Sequence, residues 1–422
     1  MSTSDQILGV VPPRGGAALV LAKRNALVLA TAQAVVGAVA PVSIAMGGLA
    51  GAYLLLEDKS LATAPVAGYN VGVAVGALPA AMLMRAVGRR LGLMSGALLA
   101  SAGGLLAAFA LFEASFWLFV AGLGVVGFAG AFSQQYRFAA TDHAPPEFRS
   151  RAISWVLAGG LFAAVIGPQM AIATGEMFAP VMFAGSFVGV ALLGLVGVAI
   201  LSALRVPAGP AASGTEANEA PARPLAEIVR QPAYVTALVC SVGAYALMSF
   251  VMTGAPLAMV ACGHSEATAY WGIQWHVMAM FGPSFFTGTL IARFGRSAVM
   301  ATGFGLLVAC AVVAMLGLSV ANFWIALVLL GVGWNFGFIG ATSMVTETYR
   351  PSEKNKAQGF HDLVLFSCVA TASLLSGGTL NALGWGALNA VVIPVSLACV
   401  LVLAWNRRAS AGGERAAAQD GR

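Results

Sequence analysis

Apolar runs of about twenty residues or more follow one another along this chain, and nearly all of its charged side chains fall in the short gaps between them. A helix rises 1.5 Å per residue, so a run of that length matches the roughly 30 Å of hydrocarbon in a bilayer. Inside lipid every backbone N–H and C=O must find its partner within the protein, which leaves helices as the structure for such runs. Only 9% of the 422 residues are charged, against about a quarter in a soluble domain, so lipid rather than water must solvate most of the surface. The length then accommodates about twelve crossings.

The runs and their interruptions predict spans near 26–54, 61–84, 91–112, 115–138, 152–174 and 180–204, and a second set near 234–260, 268–292, 298–319, 321–346, 358–380 and 384–405. Between the sets, 205–233 loses the apolar texture to Pro207, Gly209, Pro210, Gly214, Glu216, Glu219, Pro221 and Pro224, and is expected to be a linker. The chain therefore divides into an N-terminal segment 1–25, a six-helix half 26–204, the linker, a second six-helix half 234–405 and a tail 406–422. Lys23 and Arg24 before the first run resemble the start of a secretory signal, but that run far exceeds a signal core of about 7–15 residues and is expected to be a permanent span.

The basic residues test the span count. Arg14, Lys23 and Arg24 precede span 1, Arg85, Arg89 and Arg90 follow span 2, Arg149 and Arg151 follow span 4, and Arg205, Arg223 and Arg230 lie in the linker. Arg293 and Arg296 follow span 8, Arg350, Lys354 and Lys356 follow span 10, and Arg407, Arg408, Arg415 and Arg422 follow span 12. All fall on one face, while the opposite loops hold Lys59 beside Glu57 and Asp58, with Glu113, Glu176, His264 and Glu266. The positive-inside rule makes the basic face cytoplasmic, with both termini on it. The net charge of +6 is thereby read as topology beside anionic lipid rather than as a nucleic-acid surface. The five cysteines form no close pair of the metal or redox type.

The halves repeat each other. Gly88-Arg89 recurs as Gly295-Arg296, Phe116-Trp117 as Phe323-Trp324 and Gly124 as Gly331, all at an offset of 207, and Pro145 and Glu147 recur as Pro351 and Glu353 at 206. Internal duplication is characteristic of transporters whose halves rock around a central site.

With these features the chain resembles the major facilitator superfamily of secondary transporters, whose signature loop after spans 2 and 8 runs Gly-x-Leu-x-Asp-Arg-x-Gly-Arg-Arg. Here span 8 ends in Gly288-Thr289-Leu290-Ile291-Ala292-Arg293-Phe294-Gly295-Arg296, and the loop after span 2, from Leu83 to Arg90, keeps the Gly88-Arg89-Arg90 end. The acidic position is Arg85 in one copy and Ala292 in the other, so the family's carboxylate latch is expected to be replaced. Span 4 lacks the mid-membrane Arg of many proton-coupled members, and Gly167-Pro168 in span 5 reads as a packing kink or as part of an exporter pattern. A narrower similarity, to a bacterial subgroup that includes proteins assigned to riboflavin uptake, rests on Gln135-Tyr136-Arg137-Phe138-Ala139-Ala140, on Glu147 to Ser154 and on Gln274-Trp275-His276.

In that family the first helix of each three-helix unit lines the central cavity. Polar residues on such spans are expected binding residues, since a polar group in lipid must face a cavity or another helix. They are Gln33 in span 1, Gln134, Gln135 and Tyr136 in span 4, Tyr245 in span 7, and Trp334 and Asn335 in span 10, joined by Gln274, Trp275 and His276 in span 8. Trp334 offers a face for a planar solute and Asn335 an amide to orient it; alternatively Asn335 only joins two helices. His276, read as the one histidine well inside a span, either titrates or packs. Arg137 and Asp142, Arg85, Gly88, Arg89 and Arg90, Arg293, Gly295 and Arg296, and Glu347 and Asp362 are expected to form the gate or switch, with Arg350, Lys354 or Lys356 as partners of the last two.

No cluster of catalytic groups at membrane depth and no selectivity-filter repeat is evident, so neither an enzyme nor a channel is expected. The expectation is a monomeric inner-membrane transporter of a small organic solute, without metal or cofactor, working by alternating access. Riboflavin uptake is the specific reading, and drug or metabolite export or a non-transporting receptor are the rivals.

Overall fold

In a computed structural model the chain is described over residues 15–55, 58–142, 144–205 and 223–420, and every described element is helical. The prolines and glycines that define the linker between 206 and 222, together with Arg14, Glu57 and Arg422, lie outside the described residues. The helices are α1 Gly15–Val35, α2 Val39–Leu54, α3 Ala64–Val87, α4 Arg89–Phe112, α5 Phe116–Ser133, α6 Tyr136–Ala139, α7 Pro146–Thr174 and α8 Ala184–Ser202. After the short α9 Leu225–Val229 come α10 Pro232–Ala261, α11 Glu266–Phe281, α12 Ser284–Phe294, α13 Arg296–Leu316, α14 Val320–Val345, α15 Lys354–Ala390 and α16 Val392–Asp420.

Among the described residues ten helical stretches are long and apolar enough to cross a membrane, counting α1 with α2 as one, and an eleventh is the pair α11 and α12, bent by 43°. The protein is therefore an all-helical integral membrane protein. Its outward surface is apolar, with Leu78, Leu316 and Leu401 each about 70% exposed, as expected of side chains solvated by lipid.

Proline sets the interruptions. Pro41 has no N–H for the Gly37 carbonyl, and the chain tightens to a 3-10 turn at Val36–Ala38 where one unbroken span had been expected. Pro283 likewise offers nothing to Ala279 and leaves the bend between α11 and α12. Pro394 does the same at the α15–α16 boundary. The true chain reversal there lies earlier, at Gly384, whose φ of 80° is left-handed. A residue with a Cβ rarely adopts that region.

The same packing pattern occurs twice. The contacts α1 with α7, α3 with α5, α4 with α5 and α4 with α8 are matched by α10 with α15, α11 with α14, α13 with α14 and α13 with α16. Glycine permits the closest approaches: a Cβ on Gly72 would strike the Gly124 carbonyl of α5, and one on Gly303 the backbone of Gly333 and Gly337 in α14. Gly88 and Gly295, 207 apart, share one conformation, φ 85° and ψ 160° against φ 83° and ψ 151°.

The two sets meet through α3 with α15, α7 with α11, and α2 with α10 and α11. At the end opposite the basic loops the seam is hydrogen-bonded. Thr63 Oγ1 donates to the Leu374 carbonyl at 3.1 Å and accepts from Gly377 N at 3.1 Å, and Asn70 Nδ2 donates to Ser373 Oγ at 2.9 Å. Ser249 Oγ lies 2.7 Å from the same Ser373 oxygen. On the other side of its break, α1 packs within its own set, on α7 and α8.

Candidate functional site

Aromatic side chains of the second set gather on the face turned toward the first. Trp334 and Phe338, one turn apart on α14, stack with centroids 5.1 Å apart and planes 15° from parallel. Tyr245 of α10 stands edge-on to both, at 5.4 and 5.2 Å, and 6.0 Å from Phe366 of α15, while Phe281 lies 6.5 Å from Trp334. Facing this cluster, α7 presents no side chain at Gly160, where an added Cβ would sit 3.5 Å from the Phe281 ring. The cluster is thus an aromatic wall, with Trp334 6% exposed, against which α7 packs at Gly160.

Polar groups border the wall. Trp334 Nε1 and Thr253 Oγ1 are buried without a hydrogen-bond partner, and a buried donor left unpaired carries a desolvation cost that a bound acceptor would remove. Tyr69 of α3 lies within electrostatic reach of Tyr245. Gln33 lies half-buried against Gly37 and Gly159 on the first set's inner face. Arg137 is exposed and lies within electrostatic reach of Asp362 and Tyr245 of the other set.

Other expected binding residues are placed differently. Asn335 is fully buried: its Nδ2 donates to the Met280 carbonyl at 2.6 Å and to Ser284 Oγ at 2.7 Å, and its Oδ1 accepts from Thr287 Oγ1 at 2.6 Å. It thus stitches the break between α11 and α12. Tyr136 is 1% exposed within the core of the first set, packed with Met84 and Phe132. Gln134 and Gln135 sit in the break between α5 and α6, Gln134 exposed and Gln135 half-buried. His276 places Nδ1 2.8 Å from the Leu327 carbonyl, inside the second set, with Nε2 buried and unpartnered. Trp275 is 42% exposed. It points about 100° around α11 from Gln274 and opposite in sense from His276, toward the outer surface.

Gln274 does reach the other set, accepting at 2.8 Å from Gln169 Nε2 of α7. Gln169 and the seam residues Asn70 and Ser373 lie on spans 5, 2 and 11, away from the first helix of each three-helix unit that carried the sequence reading, and Ser249 lies on span 7, where that reading singled out Tyr245. A polar residue directly after Gly167-Pro168 was the available signal for Gln169.

The signature loops carry matched ion pairs. Arg89 Nε donates to Asp142 Oδ2 at 2.7 Å, and Arg296 pairs with Glu347. Arg89 and Arg296 each begin the helix after a left-handed glycine, while Asp142 follows the α5–α6 pair and Glu347 follows α14, so in each half the carboxylate comes from the end of the following span. Arg296 as the partner of Glu347, and Arg89 as that of Asp142, were not among the expected pairings. A cavity of about 440 Å³ lies at the second loop, lined by Phe294, Arg296, Ser343 and Glu347, remote in residue content from the aromatic wall. Arg85 and Arg90 are both exposed beside the first loop, and Arg293 lies 5.2 Å from the Phe294 ring.

Asp362 is partnered by His361 Nδ1 at 3.0 Å, and His361 is itself 3% exposed inside α15. His361, near the start of the expected span 358–380, is thus buried as His276 is. A second linkage had no forecast: Arg223 donates to both carboxylate oxygens of buried Glu353, at 2.9 and 2.8 Å, and to the Thr348 carbonyl. Arg223 holds the Glu353 carboxyl well below the usual carboxylate range, helped by the Arg350 and Arg223 backbone N–H groups. Among the described residues no group of His, Cys, Asp and Glu is arranged to hold a metal ion.

A model of the major facilitator superfamily matches residues 26–286 and 262–421. The chain belongs to the major facilitator superfamily. It is a membrane transporter and not an enzyme. It is 48% identical over 381 residues to the riboflavin transporter RfnT of Brucella anthropi, covering 90% of this chain and 95% of that one. It is also 30% identical to the uncharacterized MFS-type transporters YdeG and YddS of Bacillus subtilis, over 92% and 91% of this chain and 93% and 91% of theirs.

Proposed function

We propose that this protein carries riboflavin into the cell by alternating access between two six-helix halves. The observation that carries the reading is the stacked Trp334–Phe338 pair with Tyr245, Phe281 and Phe366 around it, supported by the likeness to a riboflavin transporter over nine-tenths of the chain. Riboflavin joins a planar three-ring system to a chain of hydroxyls. When the halves part and α7 moves away from Phe281 at Gly160, the ring stacks on the aromatic wall, with Trp334 Nε1 donating to a ring carbonyl or nitrogen. The hydroxyl chain extends toward Gln33, Gln135 and Arg137 of the first half.

The spans number twelve when the bent α11–α12 pair counts as one and the chain from Trp385 to Asn406, after Gly384, counts as another. The basic loops and both termini face the cytoplasm, as the positive-inside rule requires in a bacterial inner membrane. The seam at Thr63, Asn70 and Ser373 then closes the outer end, and the gap at Arg137 opens to the cytoplasm. Arg89–Asp142 and Arg296–Glu347 hold the loops of each half as the halves rock. Because one chain supplies both walls, a monomer suffices.

Riboflavin fluoresces, and stacking on indole quenches it. Titration into purified protein should give saturable quenching that is lost in Trp334→Leu. Absence of saturable quenching in the natural protein would refute the site.

A further inference from the structure

A hydrogen bond between the halves lies on the α7–α11 seam, nearer than the aromatic wall to the end opposite the basic loops. Gln169 Nε2 of α7 donates to Gln274 Oε1 of α11 at 2.8 Å. Pro168 has no N–H for the Ala164 carbonyl, so α7 lacks a backbone bond one residue before Gln169. Gln274 and Phe281 are two turns apart on α11, which puts them on one face, about 10 Å apart along the axis. The first half meets that face at both places, at Gln274 through Gln169 and at Phe281 through Gly160. Gln274 is 6% exposed and Gln169 half-buried.

A single bond leaves most of what the two amides can do unspent. Each carboxamide carries two N–H donors and a carbonyl with two lone pairs. Among the described residues neither Gln274 Nε2 nor Gln169 Oε1 has a hydrogen-bond partner. Exchanging nitrogen for oxygen in both groups reverses the donor and leaves the same remainder. An amide held at this depth with its donor unspent carries a desolvation cost that a bound ligand removes. The parting of α7 from α11 that uncovers the wall at Gly160 also breaks the Gln169–Gln274 bond, so the amides and the aromatic faces come free in one movement.

We propose that Gln169 and Gln274 recognise the imide edge of the flavin ring, an N–H flanked by two carbonyls, and so select cyclic-imide heterocycles from other planar solutes. This rests on the riboflavin reading above. The edge presents acceptor, donor and acceptor in a row. Gln274 donates from Nε2 to one carbonyl and accepts from the imide N–H on Oε1, while Gln169 donates from Nε2 to the other carbonyl. One amide–amide bond is thereby exchanged for a set that spans the whole edge. The two helical turns between Gln274 and Phe281 are comparable to the long axis of a three-ring system, so the ring stacks on the wall while its imide end meets the amides. Trp334 Nε1 is then left to a ring nitrogen. A flat solute without an imide stacks equally well but leaves the parted amides unpaired, and a site built to hydrogen-bond a substrate N–H rejects analogues that lack it.

The test compares riboflavin with its N3-methylated analogue, which keeps the ring and the hydroxyl chain but has no imide N–H. Binding of each to the purified full-length protein is read by fluorescence quenching. The natural protein should bind riboflavin about tenfold more tightly than the analogue. In Gln274→Met that preference should fall toward one, and in Gln169→Met partway, because a methyl at N3 also lifts the flanking carbonyls from their donors. A pair that only ties the halves together would change both affinities by the same factor and leave their ratio intact. Equal affinity for the two ligands in the natural protein would overturn the proposal, as would an unchanged ratio in both variants. Gln274→Leu supplies the ratio where Gln274→Met does not fold. Saturable riboflavin binding without preference removes this proposal alone, whereas absence of saturable riboflavin binding to the natural protein would refute the riboflavin reading and this proposal with it.

Discussion

Trp334 and Asn335 are adjacent in sequence, yet their side chains leave α14 in different directions and meet different partners. Trp334 stacks on Phe338, whereas Asn335 spends all three of its hydrogen bonds on the α11–α12 break. Trp334→Leu should therefore raise the KM for riboflavin about two- to tenfold, the equivalent of an aromatic contact of about 0.5–1.5 kcal/mol. Asn335→Leu takes a donor from the Met280 carbonyl and from half-buried Ser284 Oγ, while Thr287 Oγ1 keeps the Pro283 carbonyl, and a buried group left unpaired costs about 1–3 kcal/mol. The substitution should lower the melting temperature in detergent while changing the KM little in the folded fraction. Measuring KM and melting temperature on both variants separates the two roles, and a KM effect confined to Asn335→Leu would reverse them. The sequence showed this dipeptide as polar material in a span lining the cavity but could not show which way each side chain left the helix. His361 was obscured for a different reason: a helix that begins at Lys354 places it two turns deep, whereas hydropathy begins that span near 358.

At the scale of elements, the loops and breaks carry the sharpest expectations. Gly88 and Gly295 occupy a left-handed, extended conformation that is strained for any residue with a Cβ, although neither has a neighbour within 4 Å to clash with. Gly88→Ala and Gly295→Ala should each cost about 1–3 kcal/mol, read as a lower melting temperature, and the two losses should be similar. The Arg223–Glu353 clamp supplies a pH dependence. The Glu353 carboxyl is held below its unfolded value of about 4.3, so the clamp's contribution is full above that value and fades as pH falls through it. Acid unfolding of the natural protein should therefore steepen below about pH 4, and Glu353→Gln should flatten it. Most spans were legible because apolar length alone defines them, and the offset of 207 anticipated the shared conformation at Gly88 and Gly295. The breaks at Val36–Ala38 and at Gly282-Pro283 were not, because hydropathy is blind to a missing backbone donor.

Across the whole molecule, the account requires the Thr63–Gly377 end of the seam to open during transport. A Cβ on Gly377 would lie 2.6 Å from Thr63 Oγ1, close enough for paired cysteines to meet disulfide geometry. With exposed Cys262 replaced by Ser, the Thr63→Cys, Gly377→Cys variant should lose transport on oxidation and regain it on reduction. Full transport in the cross-linked form would exclude opening at that seam. Orientation and duplication were visible from the basic loops and the repeat, while the seam itself depends on hydrogen bonds between residues more than 300 positions apart. The most direct test of the whole reading is riboflavin counterflow in liposomes containing only this protein. The account predicts that vesicles preloaded with unlabelled riboflavin transiently accumulate labelled riboflavin, saturably and beyond what protein-free vesicles take up. Accumulation no greater than in protein-free vesicles would contradict it.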